Sequence, residues 1–229
     1  MIKKISFLIL SLPVLYSVHA QNSSAFLKGG VNLANISFNE NGNIDDANML
    51  VSFHAGIQGD FPIASFLSLQ PGFFVTGKGS KTQAGNTSDA NYYRATTNPI
   101  YLEVPLNLVF KAPLEKDVKF FAGAGPYAAV GIAGKRKAEG KIFGVAFSSN
   151  DNIEFSNDDP TTSGEEGAGF GILKRFDYGL NGTAGIEGKH MLFSVNYELG
   201  LAKLQSGTNS NTDEQNKHRV LSFTVGFRL

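Results

Sequence analysis

Cysteine and tryptophan are both absent from the 229 residues. Without cysteine there is no disulfide scaffold, no thiolate zinc site, no thiol nucleophile and no lipid-modified N-terminal cysteine. No charge of either sign is in excess, since Lys+Arg and Asp+Glu are both 20, which argues against a nucleic-acid binder. Charged residues are scarce at 17%, below the roughly 25% of an average soluble domain. After Ala20 no run of ~18 consecutive apolar residues occurs, so no helix is expected to cross a bilayer. Glycine and phenylalanine are plentiful instead, at 26 and 19. This profile fits neither a helical enzyme nor a disordered chain.

The first 20 residues read as a secretory leader. Lys3 and Lys4 form the positive region, Ile5 to Tyr16 the apolar stretch, and Val18-His19-Ala20 the small-x-small cleavage pattern. Residues 1–20 are therefore expected to be a signal peptide, and residues 21–229 a single exported domain.

That domain alternates with period two. In Leu221 to Leu229 every odd residue is large and apolar and every even one small or polar. This is the mark of a strand with one greasy face. The same register runs through Met191 to Leu201, Ile100 to Phe110, Phe176 to Ile186 and Leu67 to Val75. Eight such segments lie near 24–37, 49–60, 66–78, 98–111, 118–134, 172–187, 190–205 and 217–229. Each exceeds the ~9–11 residues of a tilted membrane strand. The connections between them run long, short, long, short, long, short, long. Gly79–Thr97 and Lys135–Gly171 are the two longest, and Gly188-Lys189 is a tight turn. An even strand count with loops sorted by parity is what a transmembrane barrel requires.

Alternation alone fits either polarity, so a soluble up-and-down barrel with an apolar interior remains a rival. Strand length, loop parity and the export signal together favour the membrane. The expected fold is all-β, an eight-stranded antiparallel up-and-down transmembrane β-barrel. The apolar registers of 100–110, 191–201 and 221–229 hold no charge, whereas Lys28, Glu103, Arg175, Asp177, Glu198 and Arg228 fall on the opposite face. These six are expected to form a charge network inside the barrel, carboxylates against guanidinium groups, because an unpaired charge in a dry lumen is costly.

Several stretches resemble the PorT-like outer-membrane β-barrel family. They are Phe26-Leu27-Lys28-Gly29-Gly30-Val31-Asn32-Leu33, Gly56-Ile57-Gln58-Gly59-Asp60-Phe61, Leu69-Gln70-Pro71-Gly72-Phe73, Tyr101-Leu102-Glu103-Val104-Pro105-Leu106, Phe121-Ala122-Gly123-Ala124-Gly125-Pro126-Tyr127, Asp177-Tyr178-Gly179-Leu180 and the closing Gly226-Phe227-Arg228-Leu229. The resemblance spans the exported chain. It implies an outer-membrane barrel of a Gram-negative envelope, and no particular substrate or activity.

Other motifs have plainer readings. Gly123-Ala124-Gly125 and Gly167-Ala168-Gly169-Phe170-Gly171 lack the following helix of a phosphate loop, so close strand packing or a turn is expected. His54 with Ser52, or His218 with Ser222, are the pairs a lipid-modifying enzyme would use, but no nucleophile motif surrounds them. Asn150-Asp151-Asn152 and Asn157-Asp158-Asp159 have oxygen ligands without EF-hand spacing. Lys135-Arg136-Lys137 suits lipopolysaccharide phosphates or a solvated rim. The expectation is thus a non-enzymatic barrel with no catalytic, metal or cofactor site. It has a closed lumen, four surface loops and periplasmic termini. Its partners are outer-membrane lipid, lipopolysaccharide and, during insertion, the barrel-assembly machinery, with no nucleic acid. An outer-membrane lipid-modifying enzyme and a soluble periplasmic ligand-binding barrel are the alternatives.

Overall fold

Successive period-two segments pair antiparallel until the last meets the first. In a computed structural model, residues 23–36, 49–156, 172–202, 204 and 217–229 are described, and the expected leader lies outside them. The strands are β1 (Ser24–Ile36), β2 (Leu50–Ala64), β3 (Leu67–Gly77), β4 (Ser80–Ala84), β5 (Tyr92–Glu115), β6 (Val118–Ile142), β7 (Val145–Asn152), β8 (Glu154–Phe155), β9 (Ile172–Leu173), β10 (Phe176–Glu187), β11 (Met191–Gly200) and β12 (His218–Arg228). The ring runs β1-β2-β3-β5-β6-β10-β11-β12 and closes where β12 pairs with β1 from Phe26↔Arg228 to Ile36↔His218. Closure leaves no unpaired edge around the barrel.

The exposure pattern follows the sequence register. From Ala95 to Lys111 the residues alternate without a break, with Tyr101, Glu103, Asn107 and Val109 turned inward and Val104, Leu106, Leu108 and Phe110 exposed. Phe193, Val195, Phe223 and Phe227 join them on the outer surface. The outside is an apolar belt and the inside is mostly polar, the reverse of a soluble ligand-binding barrel.

Turns at Ser65-Phe66, Lys116-Asp117 and Gly188 to His190 mark one rim, on which both described chain ends also lie. Arg228 accepts this arrangement by donating its backbone N–H to the His190 carbonyl, and Leu229 donates to Ala25. At the opposite rim the described parts of the expected loops Gly79–Thr97 and Lys135–Gly171 are in large part strand. β5 and β6 run 24 and 25 residues, and their far ends pair with β4 and β7 to make a four-stranded ribbon beyond the barrel. Its inward-facing Ala95, Thr97 and Ala138 are buried but small or polar, and Arg94, Lys135, Lys137 and Glu139 face outward, so it carries no hydrophobic alternation for the sequence to betray.

One irregularity aims this ribbon. Ile100 faces Ala133 but Tyr101 faces Gly131, so Ile132 is an extra residue in β6. Such a bulge reverses which side chains face out. Below it the even residues of β6 are outward; above it Lys135, Lys137 and Glu139 are. Lys81, Arg94, Lys135, Lys137 and Lys141 thereby share the outer face of the ribbon, with Glu139 the one carboxylate among them.

Glycine at two places on β6 permits close approach. A Cβ on Gly125 would lie 2.7 Å from the Leu106 carbonyl carbon and 2.8 Å from Asn107 Cα, so strand packing explains this Gly-Ala-Gly. A Cβ on Gly131 would lie 2.7 Å from Phe155 Cζ, on the ring that caps the barrel.

Candidate functional site: a layered lumen

The inward side chains stack in layers along the barrel axis. Nearest the short turns, Lys111 Nζ lies 2.6 Å from both Asp60 Oδ2 and Glu187 Oε2. Arg228 pairs with the other Glu187 oxygen and also donates to Ser24 Oγ at 2.9 Å. Gln70 donates to Asp60 at 3.0 Å. Above them Phe26, Val109, Phe121 and Leu192 form a small apolar cluster, beside which Lys28 donates to Gln58.

A neutral layer follows. His54 holds Asn32 Oδ1 through Nδ1 at 2.7 Å and Thr224 Oγ1 through Nε2 at 2.9 Å. Asn32 donates to Thr76 at 2.9 Å, and Ser222 donates to Asn32 at 2.9 Å. An internal cavity of about 40 Å³ sits here, space for a few water molecules at most.

The next layer is built on Lys78, which is wholly buried. Its ammonium pairs with Glu103 and lies 3.2 Å from Asp177 Oδ2 and 3.0 Å from Glu198 Oε2. It also rests 3.9 Å from the Tyr127 ring centroid, while Tyr127 OH donates to Asp177 at 3.2 Å. Carboxylates from β5, β10 and β11 therefore converge on one cation from the end of β3. An ammonium, a compact point charge on a flexible stem, can serve three acceptors from different directions.

Above Lys78, His218 packs edge-on against Tyr101 at 5.4 Å. Ile36, Ile153, Leu173 and Leu204 then form an apolar cap, with Phe155 packed beneath it against Tyr101. The cap hangs on short β8 and β9, which pair in parallel.

This arrangement revises the expected charge network in three respects. Glu103, Asp177 and Glu198 do come together, but around Lys78, which was not among the expected residues. Lys28 and Arg228 occupy the short-turn half of the lumen, so neither reaches Glu198 two layers away. Arg175 is outside the lumen: β10 begins only at Phe176, and the guanidinium is exposed, donating to the Phe155 carbonyl at 3.1 Å. The missed residues carried a signal. Lys111 and Glu187 fall on the polar register of their segments, and the even register of β3 extended one step past Thr76 reaches Lys78.

The sequence matches the outer membrane protein beta-barrel domain family over residues 19–206. The chain belongs to that family. It is an outer-membrane β-barrel protein, and its apolar outer belt is the surface that faces lipid. In fold it is similar to Ail, the attachment invasion locus protein of Yersinia pestis, solved with the heparin analogue sucrose octasulfate: 14% identity, 90% of this chain and 99% of that one, TM-score 0.41. It is similar also to Neisserial surface protein A (NspA): 11% identity, 90% and 97% coverage, TM-score 0.42. A third likeness is to OprG from Pseudomonas aeruginosa: 12% identity, 90% and 96% coverage, TM-score 0.41. No curated protein matches the sequence.

The histidines of this outer-membrane barrel take structural partners. Ser52 Oγ donates to Asn98 at 3.4 Å and Ser222 Oγ to Asn32, so neither serine is hydrogen-bonded to the histidine that would activate it. Asp151 sits on the opposite face of β7 from Asn150 and Asn152 and accepts from Ser149 Oγ at 2.9 Å. The second acidic cluster, Asn157 to Asp159, and the glycine run 167–171 lie outside the described residues. Among the described residues no group of three or more His, Asp or Glu is placed to hold a metal ion. Where three carboxylates do converge, Lys78 occupies their focus.

Proposed function

We propose that this protein is a non-enzymatic envelope barrel of the PorT-like branch, closed to solutes, whose long-hairpin rim faces the cell exterior for anchoring or recognition. The expected signal peptide and barrel-assembly machinery deliver it, and both termini are periplasmic. The Lys78 cluster carries this reading. A lumen crossed by a wholly buried ammonium with three carboxylate partners, above a second charge cluster and beneath an apolar cap, has no room for a substrate or a stream of ions. The partners of His54 and His218 support the absence of catalysis. Two measurements test the proposal together. In planar bilayers the purified protein is expected to give no conductance steps. A protease added to intact cells is expected to cut within 135–171 and to leave a C-terminal epitope intact. Discrete conductance would defeat closure, and loss of the epitope would reverse the orientation.

The basic outer face of the ribbon supports lipopolysaccharide as a lipid partner. Lys135 lies three residues beyond Ile132 of the apolar belt, about 10 Å along the strand, at the level where phosphates of the outer leaflet begin. Charged contacts at such a surface contribute about 1 kcal/mol per Lys or Arg at best. Replacing Lys81, Lys135 and Lys137 together by Gln is expected to weaken lipopolysaccharide binding about tenfold, and to leave binding of its dephosphorylated form unchanged. Equal retention of phosphorylated lipopolysaccharide by variant and parent on purification would exclude this contact.

A further inference from the structure

The charges inside the barrel do not balance. Among the described residues, Lys28, Lys78, Lys111 and Arg228 stand in the lumen with Asp60, Glu103, Asp177, Glu187 and Glu198, four cations against five carboxylates. Near the short turns the count is even, since Lys111 and Arg228 serve Asp60 and Glu187. The missing positive charge belongs to the upper half. There Lys78 faces three carboxylates, and Lys28, donating to Gln58, is the other cation. Arg136 is too distant to help, seven residues beyond Ala129, the partner of Glu103, and so about 20 Å along the strand. The histidines do not supply the charge either. An imidazolium in a dry site needs an acceptor for each N–H, and His218 Nδ1 has no partner among the described residues. His54 donates through Nδ1 to Asn32, and its Nε2 partner Thr224 is a hydroxyl that can donate in return. A second proton on His54 would also face Lys28 on the same cavity wall.

The same region holds oxygens with nothing to accept. The cavity of the neutral layer reaches Glu103 and Glu198, and Asn107, Asn181 and Thr183 also line it. Each of these three is more than nine-tenths buried. Asn107 Oδ1, Asn181 Oδ1 and Thr183 Oγ1 have no hydrogen-bond partner among the described residues. The strand register gathers them. Asn181 stands opposite Gly125 of β6 on one side and Glu198 of β11 on the other, and Thr183 stands opposite Gly123. Asn107 flanks Gly125 from β5, its Cα 2.8 Å from where a Cβ on that glycine would lie. Two positions without side chains, Gly123 and Gly125, thus separate the oxygen of β5 from those of β10 and leave the space between them open.

We propose that this cavity holds a single, partly dehydrated monovalent cation of about sodium's size, seated on Asn107, Asn181 and Thr183 beside Glu103 and Glu198. One occupant then answers both needs. A proton on Glu103 or Glu198 would cancel the charge and leave the three oxygens unserved. Water would serve the oxygens and leave the charge uncompensated, which is costly in a dry site. A divalent ion would overshoot the deficit. Amide, hydroxyl and carboxylate oxygens are the ligands that hard cations take, and about 40 Å³ admits the ion with a water or two. The ion is resident and not in transit. Lys78 and the apolar cap close the lumen above it, and Phe26, Val109, Phe121 and Leu192 pack below, so it enters as the barrel forms.

The full exported chain is refolded into phosphatidylcholine vesicles, with choline replaced stepwise by sodium at constant ionic strength, and then unfolded in urea. A ligand held only by the folded state lowers the unfolding constant in proportion to its concentration once the site is mostly filled. The constant is therefore expected to fall about tenfold for each tenfold rise in sodium, while choline, too large for the cavity, has no such effect. Thr183→Val keeps the shape and removes one oxygen. Glu103→Gln keeps the shape and removes the surplus charge. Each should need at least tenfold more sodium for the same shift. The proposal is overturned if the urea midpoint is the same in sodium and in choline, as for a cavity filled by water. It is overturned too if the midpoint ignores sodium but rises on acidification, as for a proton on the carboxylates or on His54. A variant with folded gel mobility that responds to sodium like the parent places the ion elsewhere and equally overturns it. Neither orientation nor conductance enters the measurement.

Discussion

Replacing Lys78 by Met is expected to destabilise the barrel by about 3–5 kcal/mol, the usual penalty for leaving buried charge uncompensated. The gross attraction of the ammonium to each carboxylate at ~3 Å is about 5 kcal/mol at an effective dielectric constant near 20. Desolvation and the mutual repulsion of Glu103, Asp177 and Glu198 cancel most of that sum. Removing the cation keeps both opposing contributions and loses the attraction. Urea titration of the protein refolded into lipid vesicles reads the difference. Adding Glu103→Gln to the Lys78→Met background should recover part of the loss, since one stranded charge is gone. A Lys78→Met barrel with an unchanged urea midpoint would mean that water already solvates the cluster.

Leu106→Arg is expected to cost about 2–4 kcal/mol, because Leu106 lies near the middle of the belt formed by Val104, Leu106, Leu108 and Phe110, where a charge faces hydrocarbon. Asn107 is the natural contrast. It is buried beside the lumen cavity, and Asn107→Ser leaves a small polar group there at a cost of about 1 kcal/mol. The fraction of folded species on unheated gels, with urea midpoints, separates the two. Equal tolerance at both positions would place the bilayer elsewhere on the molecule.

The barrel wall was legible because each strand separates two unlike media. Leu102, Val104 and Leu106 meet lipid while Glu103 and Asn107 meet the lumen, so one residue in two announces its side. Beyond the rim that contrast ends. Tyr92 to Thr97 and Lys135 to Ile142 are strand whose inner face holds the small or polar Ala95, Thr97 and Ala138 and whose outer face is charged, and they read as loop. The lumen was half legible. Parity alone assigns Glu103, Asp177 and Glu198 to the interior, and it would have assigned Lys111 and Glu187 as well. Parity carries no height, however, and height decides who meets whom. Strand stagger sends Lys28 and Arg228 to one end and Glu198 toward the other. Lys78 stood at the last position of its expected segment, past the clear alternation of Leu67 to Val75 and just before the expected loop from Gly79, so its inward register went unread.

The seam between β1 and β12 sets the order of events in folding. Phe26 pairs with Arg228, and Ala25 accepts from Leu229, so the contacts that close the ring join residues more than 200 positions apart. Until synthesis and export of the last strand are complete, β1 has no partner on one side and the sheet stays open. Entropy is a minor obstacle, because the cost of closing a loop grows only with the logarithm of its length. Time is the larger one, since pairings so distant in sequence form slowly. During that interval two raw edges are available to any neighbouring strand, and a chain cut short before residue 218 would keep them permanently.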